Sequence, residues 1–127
     1  MAGYSATPLS QKLGIKPGAR VALVGAPRGF SLVKRAGRAP FDVAVVFATE
    51  IVRIRTIFDE TSQKMAEDGG VWVAWPKRSS GVETDVSDNA LRAAILPTGW
   101  VDNKVCAIDE TWSGLRFVKR VAQRRRS

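Results

Sequence analysis

The sequence contains no histidine. That absence excludes serine–histidine and cysteine–histidine catalytic pairs, and it removes the commonest ligand of zinc, haem and non-haem iron sites. A general acid or base would have to be Asp, Glu, Lys, Tyr or the one thiol. Cys106 is the only cysteine, so no intrachain disulfide can form, and Tyr4 is the only tyrosine. Long apolar runs are missing too: the longest, Val43 to Ala48, falls far short of the roughly 20 residues that span a bilayer. Met1 to Pro8 has neither the basic start nor the apolar centre of a signal peptide, so the chain reads as cytoplasmic, with no membrane partner. Carboxylates are absent from both ends. None precedes Asp42 and none follows Glu110, while Lys12, Lys16, Arg20, Arg28 and the Arg124-Arg125-Arg126 run stand there. The net charge of +8 is therefore concentrated at the termini, a distribution that favours anionic partners.

What is present describes an ordinary globular chain. At 127 residues, 45% hydrophobic and 25% charged, it fits one domain with its own core. The organising stretch is Lys16 to Phe30. Lys16-Pro17-Gly18 reads as a turn, Arg20 to Val24 as a short buried strand, and Gly25 to Gly29 as a turn at its carboxyl end. Phe30 to Arg38 has the apolar side of a short helix, ended by Pro40. Phe41 to Ala48 is a second buried strand, rich in β-branched residues. Ile51, Ile54, Phe58 and Met65 recur on one face of a helix expected over Glu50 to Glu67, stopped by Asp68-Gly69-Gly70. Val71 to Trp75 reads as a third strand. Thr84 to Ser87 offers caps for a helix through Leu96, and Val101 to Ile108 with Leu115 to Val121 reads as a closing hairpin. The expected class is α/β: a mostly parallel sheet of about five strands with a C-terminal antiparallel pair. The expected division is an arm over residues 1–15, a domain over 16–121 and a basic tail over 122–127.

Three stretches carry a family likeness. Lys16 to Gly25 resembles the first-strand motif of class I S-adenosylmethionine-dependent methyltransferases, Phe41 to Val46 their fourth strand, and Asp68 to Val73 the approach to their fifth. The resemblance implies a truncated, three-layer Rossmann-like fold and S-adenosylmethionine as cofactor. The sequence departs from the family at Leu23, where an acidic residue is expected, and at Pro27, where a glycine is expected. It also has no room between Gly29 and Pro40 for the second and third strands. A homodimer that completes the site from a neighbouring copy would be one way round those losses. The whole chain, from Gly3 to Leu115, also resembles a family of short bacterial proteins catalogued as a domain of unknown function, which implies the fold and no activity.

The candidate ligand-binding residues lie in two loops expected at the carboxyl edge of the sheet, where open α/β folds bind ligands. Gly25, Arg28 and Gly29 form the first, able to present backbone N–H groups and a guanidinium to a phosphate or carboxylate. Lys77, Arg78, Ser79 and Ser80 form the second, offering two cations and two hydroxyls. Asp109 and Glu110 sit beside Trp112, but adjacent strand positions point to opposite faces, so a hairpin turn suits them better than a paired-carboxylate site. Cys106, Trp72 and Trp100 read as core. These residues point first to a non-catalytic module that binds a small anionic ligand or anionic partner. A reduced methyltransferase is the alternative, and salt-sensitive nucleic-acid binding by the basic termini a second one. No catalytic residue and no metal ligand set is expected.

Overall fold

The structure, a computed structural model, describes residues 8–30, 32 and 37–120. Five segments rich in Val, Phe and Trp pair into one sheet. They are Val21–Val24 (β1), Phe41–Phe47 (β2), Met65–Pro76 (β3), Trp100–Ala107 (β4) and Trp112–Lys119 (β5). β1, β2 and β3 are neighbours in parallel, β5 lies antiparallel between β3 and β4, and the order is β1-β2-β3-β5-β4. Only β5 runs against the other four. β2 is buried from Val43 to Phe47 because both its faces are covered, which is why its apolar run does not alternate with polar residues.

Among the described residues three α-helices attend the sheet: Leu9–Lys12 (α1), Ile51–Ser62 (α2) and Asp88–Ile95 (α3). α2 and α3 cover one face, where Ile54, Phe58, Leu91 and Ile95 pack on Ala44, Val46, Val71, Val73, Leu115 and Phe117. The other face has no long helix among the described residues. Leu13, Ile108 and the half-buried Phe30 and Leu32 close it over Val43, Val45, Phe47, Trp72 and Ala74. Trp72 donates its indole N–H to the Leu13 carbonyl at 3.0 Å, which ties the N-terminal segment to the sheet centre. The arrangement is an α/β sheet, parallel at its start and closed by an antiparallel pair. No helix among the described residues is long and apolar enough to cross a membrane.

Three sequence expectations are corrected. The helix expected over Glu50 to Glu67 ends at Ser62, and β3 begins at Met65, so Met65 faces the core from a strand. Gly69 and Gly70, expected to stop the helix, lie inside β3, where they allow close approach. A Cβ at Gly69 would lie 2.9 Å from the Phe41 carbonyl oxygen, and one at Gly70 would meet the Arg116 side chain at 2.5 Å. The register between Phe41 and Val43 slips at this point. The third helix, by contrast, is as expected: it starts at Asp88, directly after the Thr84 to Ser87 stretch that offers its caps. Most of the expected Phe30 to Arg38 helix lies outside the described residues. It does not reach Arg38, because Gly37 donates its backbone N–H to the Val21 carbonyl at 3.0 Å, alongside β1.

Candidate functional site

The connections that leave β1, β2, β3 and β4 all emerge at one end of the sheet, its carboxyl edge. α2 begins there, directly after β2, with Glu50 as a cap residue that supplies no side-chain bond. Its first amide is satisfied from a distance: Ile51 N–H donates to Asp85 Oδ1 at 2.8 Å. The loop carrying Asp85 is held by Thr84, whose hydroxyl donates to the Thr49 carbonyl at 2.6 Å and accepts from the Val86 amide at 3.0 Å. Two residues on, Ser87 Oγ accepts from the Ala90 amide and caps α3. One loop, 81–87, thus fixes the starts of both helices. It also walls a cleft of about 640 Å³ beside the end of β3, lined by Trp75, Pro76, Arg78 and residues 81–88.

The charges in this cleft are unequally committed. Asp85 is occupied by the α2 amide. Asp88 accepts from the Asn89 amide at 2.8 Å and pairs with Arg92, which also bonds Asp102 at 3.0 Å. The bond to Asp102 holds the half-buried Arg92 guanidinium above its ordinary value. Arg78 and Glu83 line the same cleft, and neither has an ion-pair or hydrogen-bond partner for its side chain among the described residues. With two carboxylates held by helix starts and by Arg92, Arg78 is the cation left to meet a ligand, and Glu83 is an acceptor for a hydroxyl or an amine.

The structure distributes the sequence-expected residues as follows. Arg78 lines the cleft; Lys77, Ser79 and Ser80 stand in the same loop outside it, Arg78–Ser80 forming a 3-10 turn. Ser80 is spent on that turn, donating to the Lys77 carbonyl at 2.6 Å and accepting from the Val82 amide. Lys77 is tied through its backbone to the β4–β5 turn, its N–H donating to the Thr111 carbonyl at 2.7 Å. Gly25, Arg28 and Gly29 are exposed at the end of β1 and do not line this cleft. Their turn joins the hairpin through aromatics. Phe30 packs edge-on against Phe47 at 4.9 Å, and Phe47 against Trp112 at 5.1 Å.

Asp109 is a turn residue, as the alternation argument expects: Oδ1 accepts from the Thr111 and Trp112 amides, both at 2.8 Å. Trp72 is fully buried and Trp100 nearly so. Cys106 differs from the core expectation in being half-buried, and burial pushes its thiol above the ordinary value, against the pull of Lys12 and Lys104. Among the described residues no three of Cys, Asp and Glu are grouped to hold a metal ion. The Arg124 to Arg126 run lies outside the described residues. Sequence reasoning missed Glu83, Asp85 and Asp88 as cleft residues. The clustered acidic and hydroxyl residues of 83–88 were the available signal, but they read as caps for the helix that follows.

No protein-family model matches the chain, and no curated protein does. Among solved structures it is similar to the N-methyltransferase NodS from Bradyrhizobium japonicum WM9, at 15% identity and a TM-score of 0.47. The likeness covers 87% of this chain and 80% of that one.

Proposed function

We propose that the chain binds a small ligand with an anionic group in the cleft at the carboxyl edge of its sheet, with Arg78 as the anchoring cation. One observation carries this reading: a guanidinium without a partner among the described residues lines a cleft at the end of a parallel strand. Its size falls in the roughly 300–1,000 Å³ range of small-molecule sites. Arg28 and Lys77 add positive charge on the same edge, which raises the local concentration of anions without touching them. Glu83 gives the ligand's hydroxyl or amino group an acceptor.

A second reading, S-adenosylmethionine binding by a reduced methyltransferase, draws support from the sheet. The sheet is parallel from β1 to β3 and closed by the antiparallel β5–β4 pair, the class of sheet that the sequence motifs imply. One experiment addresses both. Thermal melts are run with inorganic pyrophosphate, ADP and S-adenosylmethionine, for the wild type and for Arg78→Ala. Saturation at about a hundred dissociation constants adds roughly 2.7 kcal/mol, a rise of several degrees in a domain of this size. A rise with pyrophosphate or ADP that Arg78→Ala abolishes supports the first reading. A rise with S-adenosylmethionine alone supports the second. Flat melts with all three reject both.

A further inference from the structure

We propose a second binding site at the opposite edge of the sheet, for an α-amino acid with an apolar side chain. α2 runs back from the carboxyl edge, so its last turns lie at the amino edge, beside the corner where α3 leads into β4. A cavity of about 500 Å³ opens between them, lined among others by Arg55, Phe58, Asp59, Ile95, Thr98 and Trp100. Its floor is apolar: Phe58 and Trp100 meet edge to face at 5.4 Å, and Ile95 is fully buried beside them.

Its polar groups divide into spent and unspent. Thr98 is spent, its hydroxyl donating to the Ile95 carbonyl at 2.6 Å. Trp100 is 6% exposed, yet its indole N–H has no acceptor among the described residues. No fully buried side-chain nitrogen or oxygen among those residues lacks a partner, so this N–H still reaches solvent, and Trp100 is one of the residues lining the cavity. Arg55 and Asp59 stand four residues apart on α2, as neighbours on one helix face, without forming an ion pair. Arg55 has no side-chain partner among the described residues, and Asp59 takes only a long 3.5 Å contact from Gln63 on its carboxylate.

A cation, an anion, an inner N–H donor and an aromatic floor match one ligand chemistry. Arg55 and the indole N–H take a carboxylate, Asp59 takes the adjacent ammonium, and the half-buried Ala94 with the open part of Trp100 takes an apolar side chain. A plain carboxylate would leave Asp59 facing it, and a plain amine would leave Arg55 facing it. The site is independent of the cleft at the carboxyl edge, which shares none of its residues.

The test is a titration of the full chain with L-phenylalanine, followed through the indole N–H cross-peaks of its four tryptophans, assigned by triple-resonance spectra so that no core substitution is needed. The Trp100 cross-peak is expected to shift saturably, with a dissociation constant on the order of a millimolar or tighter, while those of Trp72, Trp75 and Trp112 stay in place. Phenylacetate and phenethylamine are expected to bind roughly tenfold more weakly, as is phenylalanine to Arg55→Gln and to Asp59→Asn, each of which loses one charged partner. These two residues are exposed, so the variants fold. Three results would overturn the proposal: a Trp100 cross-peak that does not move, phenylacetate binding as tightly as phenylalanine, or either variant binding like the wild type. Arg78→Ala is expected to leave the titration unchanged.

Discussion

Gly25 ends β1 in the left-handed region, at φ +69°, and a Cβ there would lie 2.9 Å from the Phe47 carbonyl oxygen. Both the backbone conformation and the space demand glycine. Gly29, four residues on, has a φ of +85° and nothing within 4 Å of its notional Cβ, so only the conformation demands it. The two glycines therefore separate steric from conformational cost. Gly25→Ala is expected to destabilise the fold by about 2–4 kcal/mol, a backbone term plus the displacement of the β2 end, and Gly29→Ala by about 1 kcal/mol. Urea denaturation of the two variants checks this, and equal losses would show that the close approach to Phe47 carries no weight. This ranking was beyond the sequence, where both glycines read alike as turn residues. The carbonyl that crowds one of them comes from the neighbouring strand.

Asp85 shows the same limit for elements. Its sequence neighbours suggest a cap for the helix that follows, and Ser87 does cap α3 as the local pattern implies. Asp85 instead caps α2, 34 residues earlier, through Ile51. Replacing Asp85 by alanine is expected to cost about 1–2 kcal/mol, as loss of a helix cap does, and to speed amide exchange in the first turn of α2. Ser87→Ala is expected to have the corresponding effect on α3 alone. Hydrogen exchange read by NMR distinguishes them, and protection of α2 unchanged in Asp85→Ala would remove Asp85 from that role. Elements with one strong local signal were legible: β2 from its β-branched run, the β4–β5 hairpin from two apolar runs around Asp109 to Gly114. The α2–β3 boundary was not, because Met65 satisfies helical spacing and a buried strand start equally well. The glycine pair after it serves close approach to β2 and Arg116 rather than helix termination. Of the candidate site, Arg78 was legible as a cation after a strand, while its acidic neighbours depended on a loop folding back over α2.

The whole molecule is a sheet with unequal covers. α2 and α3 spread Ile54, Phe58, Leu91 and Ile95 over one face, while among the described residues the other is covered by a four-residue helix and connecting coil. The thin cover succeeds because of how it is pinned. Leu13 is 1% exposed, packs in the cluster around Val21, Val45 and Trp72, and offers its carbonyl to the Trp72 indole. If the segment before Lys16 were loosely attached, truncating Leu13 would cost little. Full burial in a cluster implies instead a loss of about 2–5 kcal/mol for Leu13→Ala, comparable with about 3–5 kcal/mol for Phe58→Ala under the thick cover. Trp72→Phe keeps most of the ring but strands the Leu13 carbonyl, an expected cost of about 1–3 kcal/mol. Denaturant midpoints measure all three. A Leu13→Ala loss below about 1 kcal/mol would mean that the N-terminal segment lies on the sheet without stabilising it. A loss in the expected range makes that segment as much a part of the core as α2.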